Sequence, residues 1–270
     1  MTPMKNKPRL ESRPERRIRF VFFGTRPLAE SVLQELENAG LVPAKIVSTE
    51  PTKELIDELS ASKWDVFVVA SYGAILPKKL LELPKRGVVN VHPSLLPRLR
   101  GPSPIRSAIL NDEKNTGVSI MLLDEKMDEG PIIAQKKVAV PEWPPHGSDL
   151  DGLLAREGGR LLADYLMLWV DKKIKASPQN HDLATYSAIF RKEDGLLDLS
   201  ADAYRNLLKI RAFEGWPGTY TFFERAGKRI RVALTAAHIE NSKLVIERVK
   251  PEGKKEMPYE DFLRSGATPL

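Results

Sequence analysis

Short apolar runs alternate with segments of helical spacing through the first 140 residues, and this alternation restricts the fold more than any other feature. Ile18–Phe23 has the apolar density of a strand buried on both faces. Gly24-Thr25-Arg26-Pro27 turns the chain, and Leu28–Ala39 follows with helical spacing. Ala44–Ser48, Trp64–Ser71 and the segment holding Asn90 and His92 read as further strands. Helices are expected at Thr52–Ser62, from Pro77 to near Gly87, and at Pro102–Asn111. Thr116–Leu123 and Pro131–Val140 read as two more strands, joined by the Asp124–Gly130 loop. Ser148-Asp149-Leu150-Asp151 looks like a capping signal for a long helix reaching Val170. Elements in this order give a mostly parallel, layered α/β sheet.

The composition changes after Val170. Asp171–Asp182 is polar and reads as a linker. Beyond it a helix is expected over Ser200–Phe213. Strands follow at Gly218–Phe223, Arg229–Leu234 and Lys243–Val249, with a closing helical turn at Pro258–Arg264. That is a small, mostly β second domain. Residues 1–17 carry three prolines, six basic residues and two glutamates, and read as a disordered basic leader. The expected organisation is therefore a leader over 1–17, a first domain over 18–170, a linker over 171–183 and a second domain over 184–270.

Residue usage removes several chemistries. The chain has no cysteine, which excludes a disulfide framework, a thiolate nucleophile and a Cys-ligated zinc site. Its four histidines form no HExxH pair, so no metal is expected, although carboxylates alone leave a magnesium site open. Gly24 stands without a GxGxxG, which disfavours a dinucleotide enzyme. No apolar stretch approaches the roughly 20 residues that span a bilayer, and the basic N-terminus lacks the apolar core of a signal peptide. A cytoplasmic protein without a membrane partner is expected. Most of the net charge of +6 sits in the first 17 residues and beyond residue 150. That offset suits an anionic partner such as nucleic acid, and suits a solvated surface equally well.

Chemistry concentrates at Val88-Val89-Asn90-Val91-His92, followed by Pro93-Ser94-Leu95-Leu96-Pro97. A two-residue spacing puts the carboxamide and the imidazole on one face of a strand. The proline-bounded run beyond cannot simply continue the ladder, so the pair stands where a buried strand opens into a loop. An amide donor beside an imidazole suits the stabilisation of a carbonyl oxygen as it becomes an oxyanion. His92 alone would equally suit a structural histidine holding loop backbone. Asn90 beside it favours chemistry, because a buried amide is costly without a partner. Asp128, within Asp124–Gly130, is by itself one acid in a solvated turn.

Several separated blocks resemble the folate-dependent formyltransferases. They are Asn90 through Pro97, Arg100-Gly101, Pro104-Ile105, Thr116–Met121 and Met127-Asp128-Glu129-Gly130. Phe22–Thr25 and Tyr72–Pro77 resemble that family too. The resemblance implies a Rossmann-like formyltransferase domain, with Asn90, His92 and Asp128 as the catalytic trio. It also implies that Ser94, Leu95, Leu96 and Pro97 line a folate site. Within the group, Ala184-Thr185-Tyr186, Lys192–Gly195, Arg211–Phe213, Trp216–Thr221 and Lys250–Met257, leading to Asp261–Leu263, are similar to the methionyl-tRNA formyltransferases. The implied second domain is an OB-like barrel that helps bind tRNA. The implied donor is 10-formyltetrahydrofolate, used as a substrate, and the implied acceptor is initiator methionyl-tRNA. No obligate protein partner is implied.

On that reading the neutral amine attacks the formyl carbon, Asn90 and His92 stabilise the oxyanion, and Asp128 either favours the charged imidazole or accepts the amine proton. Arg229, Arg231, Lys243 and Arg248 are candidate phosphate contacts, or equally the exposed side of alternating strands. Two departures stand out. The family carries a long basic loop after the second strand, whereas Ser48-Thr49-Glu50-Pro51 here leads almost directly into the Thr52 helix. The missing piece, roughly thirty residues, exceeds ordinary loop variation. Only about three strands are legible in the second domain, so a reduced barrel is expected. Rival readings are a formyltransferase acting on a nucleotide-linked amino sugar, and a catalytically idle RNA-binding relative. A glycinamide-ribonucleotide enzyme would share the first-domain motifs but end near that domain.

Overall fold

The computed structural model describes residues 18–270. The expected leader over 1–17 lies outside the described residues. The first sheet comprises β1 (Phe20–Gly24), β2 (Lys45–Val47), β3 (Val66–Ala70), β4 (Val88–His92), β5 (Thr116–Leu122) and β6 (Ile132–Val138). Their spatial order is β2-β1-β3-β4-β5-β6. The first four run parallel, while β5 and β6 pair antiparallel. Intervening helices are α1 (Leu28–Asn38), α2 (Lys53–Ser60), α3 (Lys78–Leu81), α4 (Pro104–Leu110) and α5 (Gly147–Val170).

Period-two alternation divides each central strand between two hydrophobic layers. Phe20, Phe22, Val66, Val68, Val89 and Val91 face the larger core, filled by α1 and α5. Val21, Phe23, Phe67, Val69 and Val88 face a smaller core, closed by Leu59 of α2 and Leu80 of α3. Gly158 on α5 permits the close approach to β4, since a Cβ there would lie 2.5 Å from a methyl of Val91. By the same parity, Asn90 and His92 emerge on the thinly covered side, where α2 and α3 supply only eight and four residues. The chain's geometry thus leaves the end of β4 available for a site.

The connection from β2 to α2 is only residues 48–52, with Thr52 capping the helix by accepting from the Leu55 amide at 3.3 Å. β2 is a three-residue sheet edge. The capping signal at Ser148 works differently from expectation. Helix α5 begins at Gly147, two residues earlier than a cap at Ser148 would give, and the Ser148 amide and hydroxyl both donate to Glu214, at 3.1 and 2.5 Å. Asp151 instead forms a two-pronged pair with Arg106, at 2.6 and 2.7 Å. An exposed helix start can recruit a carboxylate from elsewhere in the fold when one packs nearby.

The second sheet is antiparallel. It comprises β7 (Thr219–Arg225), β8 (Lys228–Glu240), β9 (Lys243–Pro251) and the two-residue β10 (Met257–Pro258) and β11 (Thr268–Pro269), in the order β10-β9-β8-β7-β11. Three long strands are those expected, although β8 runs six residues past Leu234 through irregular register near Ala236. The two short strands were not legible, since two residues carry no periodicity. Helix α7 (Tyr259–Arg264) buries Phe262 in the core of this sheet. Helix α6 (Ala203–Ala212) serves both sheets, with Leu208 and Ala212 in the larger first core and Ile210 in that of the second sheet.

The polar stretch read as a linker lies along the first sheet. Ile132 and Ser177 exchange backbone hydrogen bonds at 2.8 Å in each direction. Further on, the Arg100 amide donates to Thr185 O at 2.9 Å, and the Ser187 amide donates to Arg100 O at 2.7 Å. The segment is polar because it satisfies backbone and side-chain groups of the loop beyond β4. No helix among the described residues is long and apolar enough to cross a membrane.

Candidate active site

Residues from three separate parts of the chain meet at the end of β4. His92 is 4% exposed, and its Nε2 lies 3.0 Å from Leu99 O. That carbonyl can only accept, so Nε2 carries the proton and donates. The other nitrogen, Nδ1, faces Asp128 Oδ2 at 3.7 Å. The same oxygen accepts from the Gly101 amide at 2.8 Å. Asp128 Oδ1 has no protein hydrogen-bond partner among the described residues. Asn90 is half-buried, and its carboxamide likewise makes no hydrogen bond to protein among the described residues. Its backbone stands in register with Val69 and Met121 of the flanking strands. The arrangement presents a free amide donor, an imidazole fixed at one nitrogen, and a carboxylate with one open oxygen.

Asp128 adopts a left-handed backbone conformation, with φ +54°. Asp tolerates that region better than most residues, but the conformation needs support from its surroundings. Gly101 has φ +109°, and a Cβ there would meet Ser187 Oγ at 2.8 Å. Glycine is what lets this amide approach both the Asp128 carboxylate and the segment around Ser187.

The residues implied to line a folate site are placed unequally. Ser94 and Leu96 are buried, whereas Leu95 and Pro97 are half-buried. The Ser94 hydroxyl donates to Arg98 O at 2.6 Å. The loop is pinned from β5 by Ser119, which is fully buried. Its hydroxyl donates to Ser94 O at 2.6 Å and accepts from the Leu96 amide at 3.1 Å. Gln135 of β6 donates to both Ser119 Oγ and Leu96 O at 2.8 Å. Gln135 carried no signal in the sequence and Ser119 stood only within the Thr116–Met121 block of resemblance, because both lie on strands whose loop contacts depend on pairing β4, β5 and β6. Among the described residues, no group of three or more His, Asp or Glu side chains is placed to hold a metal ion.

The four basic residues proposed on the second sheet lie far along the chain from this centre and differ in environment. Arg229 stacks over the Phe222 ring and Arg231 over the Tyr220 ring, each with its guanidinium carbon 3.7 Å from the centroid. Those two rings meet edge to face at 5.8 Å. Phe222 stands opposite Arg231 in the ladder, so rings and cations share the outer face of the sheet. Arg248 is held by Glu256 at 3.0 Å. Lys243 is exposed, opposite Glu240 at the other end of β9. Lys250, which was not among the candidate phosphate contacts, stands opposite Ala233 and is exposed on the same ladder.

Comparison with known proteins agrees with this architecture. The formyl transferase family model matches residues 19–149. A methionyl-tRNA formyltransferase of Roseiflexus castenholzii is 36% identical over 261 residues, covering 89% of this chain and 83% of that protein. The methionyl-tRNA formyltransferase structure from Clostridium thermocellum superposes with a TM-score of 0.66 at 17% identity, covering 87% of this chain and 99% of that one. HypX from Aquifex aeolicus, in a structure with tetrahydrofolic acid, superposes at 0.71 with 17% identity, covering 92% of this chain and 47% of that one. At such identities the two structures speak to the fold, whereas the relative from Roseiflexus speaks to descent. The chain belongs to the methionyl-tRNA formyltransferase family.

Proposed function

We infer that this protein transfers the formyl group of 10-formyltetrahydrofolate to the α-amino group of initiator methionyl-tRNA. One observation carries the reading beyond family membership: Asn90, His92 and Asp128 converge at a strand end, with the Asn90 amide and Asp128 Oδ1 left free of protein partners among the described residues. The donor supplies the one-carbon unit: as the tetrahedral intermediate collapses, the bond from the formyl carbon to N10 breaks, and tetrahydrofolate leaves with N10 taking up the proton that the amine gave up. The chain's residues stabilise charge and move a proton.

Asn90 Nδ2 is the donor available to the formyl oxygen as the amine adds and negative charge builds there. His92 holds its ring through Leu99 O, so its remaining nitrogen can act only on the side shared with Asp128. Asp128 Oδ2 is occupied by Gly101, while Oδ1 is open to receive the proton that the amine must lose. Ser94–Pro97, pinned by Ser119 and Gln135, forms the wall on the folate side.

Residues 18–170 act as the catalytic domain, 171–183 as a linker and 184–270 as the tRNA-binding domain. On its outer face, Arg229 and Arg231 are immobilised by Phe222 and Tyr220, which lowers the entropic cost of contacting phosphates. The Glu256 pairing spends part of the Arg248 charge, and Lys243 contributes at the edge. The reading is tested by offering labelled 10-formyltetrahydrofolate with methionyl-tRNA, a nucleotide-linked amino sugar, or water alone. Formylation of methionyl-tRNA is expected. Exclusive transfer to the sugar would replace this reading, and no transfer at all would support an idle RNA-binding relative. Arg231→Ala should lower the slope of log affinity against log salt by about 1 if it meets a phosphate. An unchanged slope removes Arg231 from the interface.

A further inference from the structure

Behind the trio lies a second polar centre that the reaction as described does not use. Arg100 is 1% exposed, in the loop that also carries Gly101, and Gln179 is 6% exposed in the segment that follows α5. Gln179 Oε1 accepts from Arg100 Nε at 3.1 Å and Nη2 at 2.9 Å. Its Nε2 donates to Asp128 O at 2.8 Å and to Gly130 O at 2.7 Å. Arg100 also meets His181 Nδ1 at 3.1 Å and Glu129 Oε1 at 3.5 Å.

The orientation of this carboxamide is forced. A guanidinium only donates and a carbonyl only accepts, so oxygen must face Arg100 and nitrogen must face the two carbonyls. All four hydrogen bonds of the amide are then made in a buried setting, where leaving any unmade is costly. Two of them grip the carbonyls of the residues on either side of Glu129, and one of these belongs to the left-handed Asp128. Asp128 is thereby held at two points: its carboxylate by the Gly101 amide and its carbonyl by Gln179. Arg100 precedes Gly101 directly, so the Arg100–Gln179 pair ties both holding points to one buried unit.

We propose that Gln179 is a positioning residue for Asp128, setting where its carboxylate stands relative to His92 through the two carbonyls that it holds. This inference rests on Asp128 belonging to the reacting trio. Gln179 does not touch the reacting groups; its effect passes through the backbone of residues 128–130. A displacement near 1 Å of a reacting group costs on the order of 10²-fold in rate.

The test uses the full chain and steady-state formylation of methionyl-tRNA, with wild-type activity established first so that loss of the underlying reading is seen separately. Gln179→Leu removes all four hydrogen bonds. Gln179→Glu keeps, and strengthens, acceptance from Arg100 but can no longer donate to Asp128 O and Gly130 O. Both variants should lower kcat on the order of 10²-fold with KM for either substrate changed less than about threefold. Glutamate should not rescue. In an Asp128→Asn background, adding Gln179→Leu should lower kcat by no more than about twofold further, because residues that act as one unit are not additive. Wild-type kcat in Gln179→Glu would overturn the proposal, by showing that only the Arg100 contact matters. A full additional loss in the Asp128→Asn background would overturn it as well. If Gln179→Leu fails to fold, Gln179→Glu and its combination with Asp128→Asn decide the question.

Discussion

Asn90 offers the sharpest separation of chemistry from stability. Its carboxamide makes no hydrogen bond to protein among the described residues, and its backbone ladder to Val69 and Met121 does not depend on the side chain. Asn90→Ala therefore leaves no buried polar atom orphaned. The strand position changes from one weak strand former to another, and folding stability should move by less than about 1 kcal/mol. Catalysis is expected to respond very differently. Loss of a single oxyanion donor costs about 2.7–4 kcal/mol, or roughly 10²–10³ in turnover. The assay is single-turnover formylation of methionyl-tRNA with saturating donor, read alongside urea unfolding of the same preparation. A turnover within about threefold of wild type, at this scale of oxyanion stabilisation, would refute the assignment of Asn90. So would a rate loss matched by an equal loss of stability, since the effect would then be structural.

Two further substitutions probe what surrounds the trio, and a third probes the start of α5. Gly101→Ala forces a side chain into φ +109° and against Ser187 Oγ at 2.8 Å, and should cost about 2 kcal/mol of stability together with turnover; unchanged melting and rate would show that the loop relaxes freely. Ser119→Ala leaves Ser94 O and the Leu96 amide without their buried partner, a penalty of about 1–3 kcal/mol. It should raise KM for the formyl donor more than it lowers kcat, and a donor KM equal to wild type would separate Ser119 from the folate wall. Glu214 joins the start of α5 to the chain beyond α6. Burial pushes its carboxyl up, but the hydrogen bonds from Ser148 and the facing His146 outweigh that and hold it below the usual carboxylate value. A carboxyl lowered in this way contributes stability above its unfolded value and loses it as pH falls through the folded one. Glu214→Gln should therefore cost about 1 kcal/mol near neutrality, reduced by its partial exposure, and the gap should close in acid. A gap independent of pH in chemical denaturation would contradict this.

How much could be read without coordinates differed by kind of feature. The strands at Phe20–Gly24, Val66–Ala70 and Val88–His92 were legible because burial on both faces demands a continuous apolar run. The Asn90/His92 pair was legible because period two is a local rule. Asp128 was recognisable only through family resemblance, since a lone acid in an acidic turn has no distinguishing pattern. Gln179 had no signal at all. It sits in a polar stretch whose composition matches any solvated linker, although in the fold it is 6% exposed.

By itself the chain's sequence determined its layers, the strand that delivers an amide and an imidazole together, and descent from formyl-transferring enzymes. These depend on spacing and on motif, which are properties of neighbouring residues. The tertiary structure alone decided that His92 turns one nitrogen to Leu99 and the other to Asp128, and that Gly101 and Gln179 hold that acid from two sides. Such contacts join residues up to 51 positions apart. They exist only once β4, the loop beyond it and the segment after α5 have packed, because a hydrogen bond is specified by distance and direction in space, and linear order carries neither.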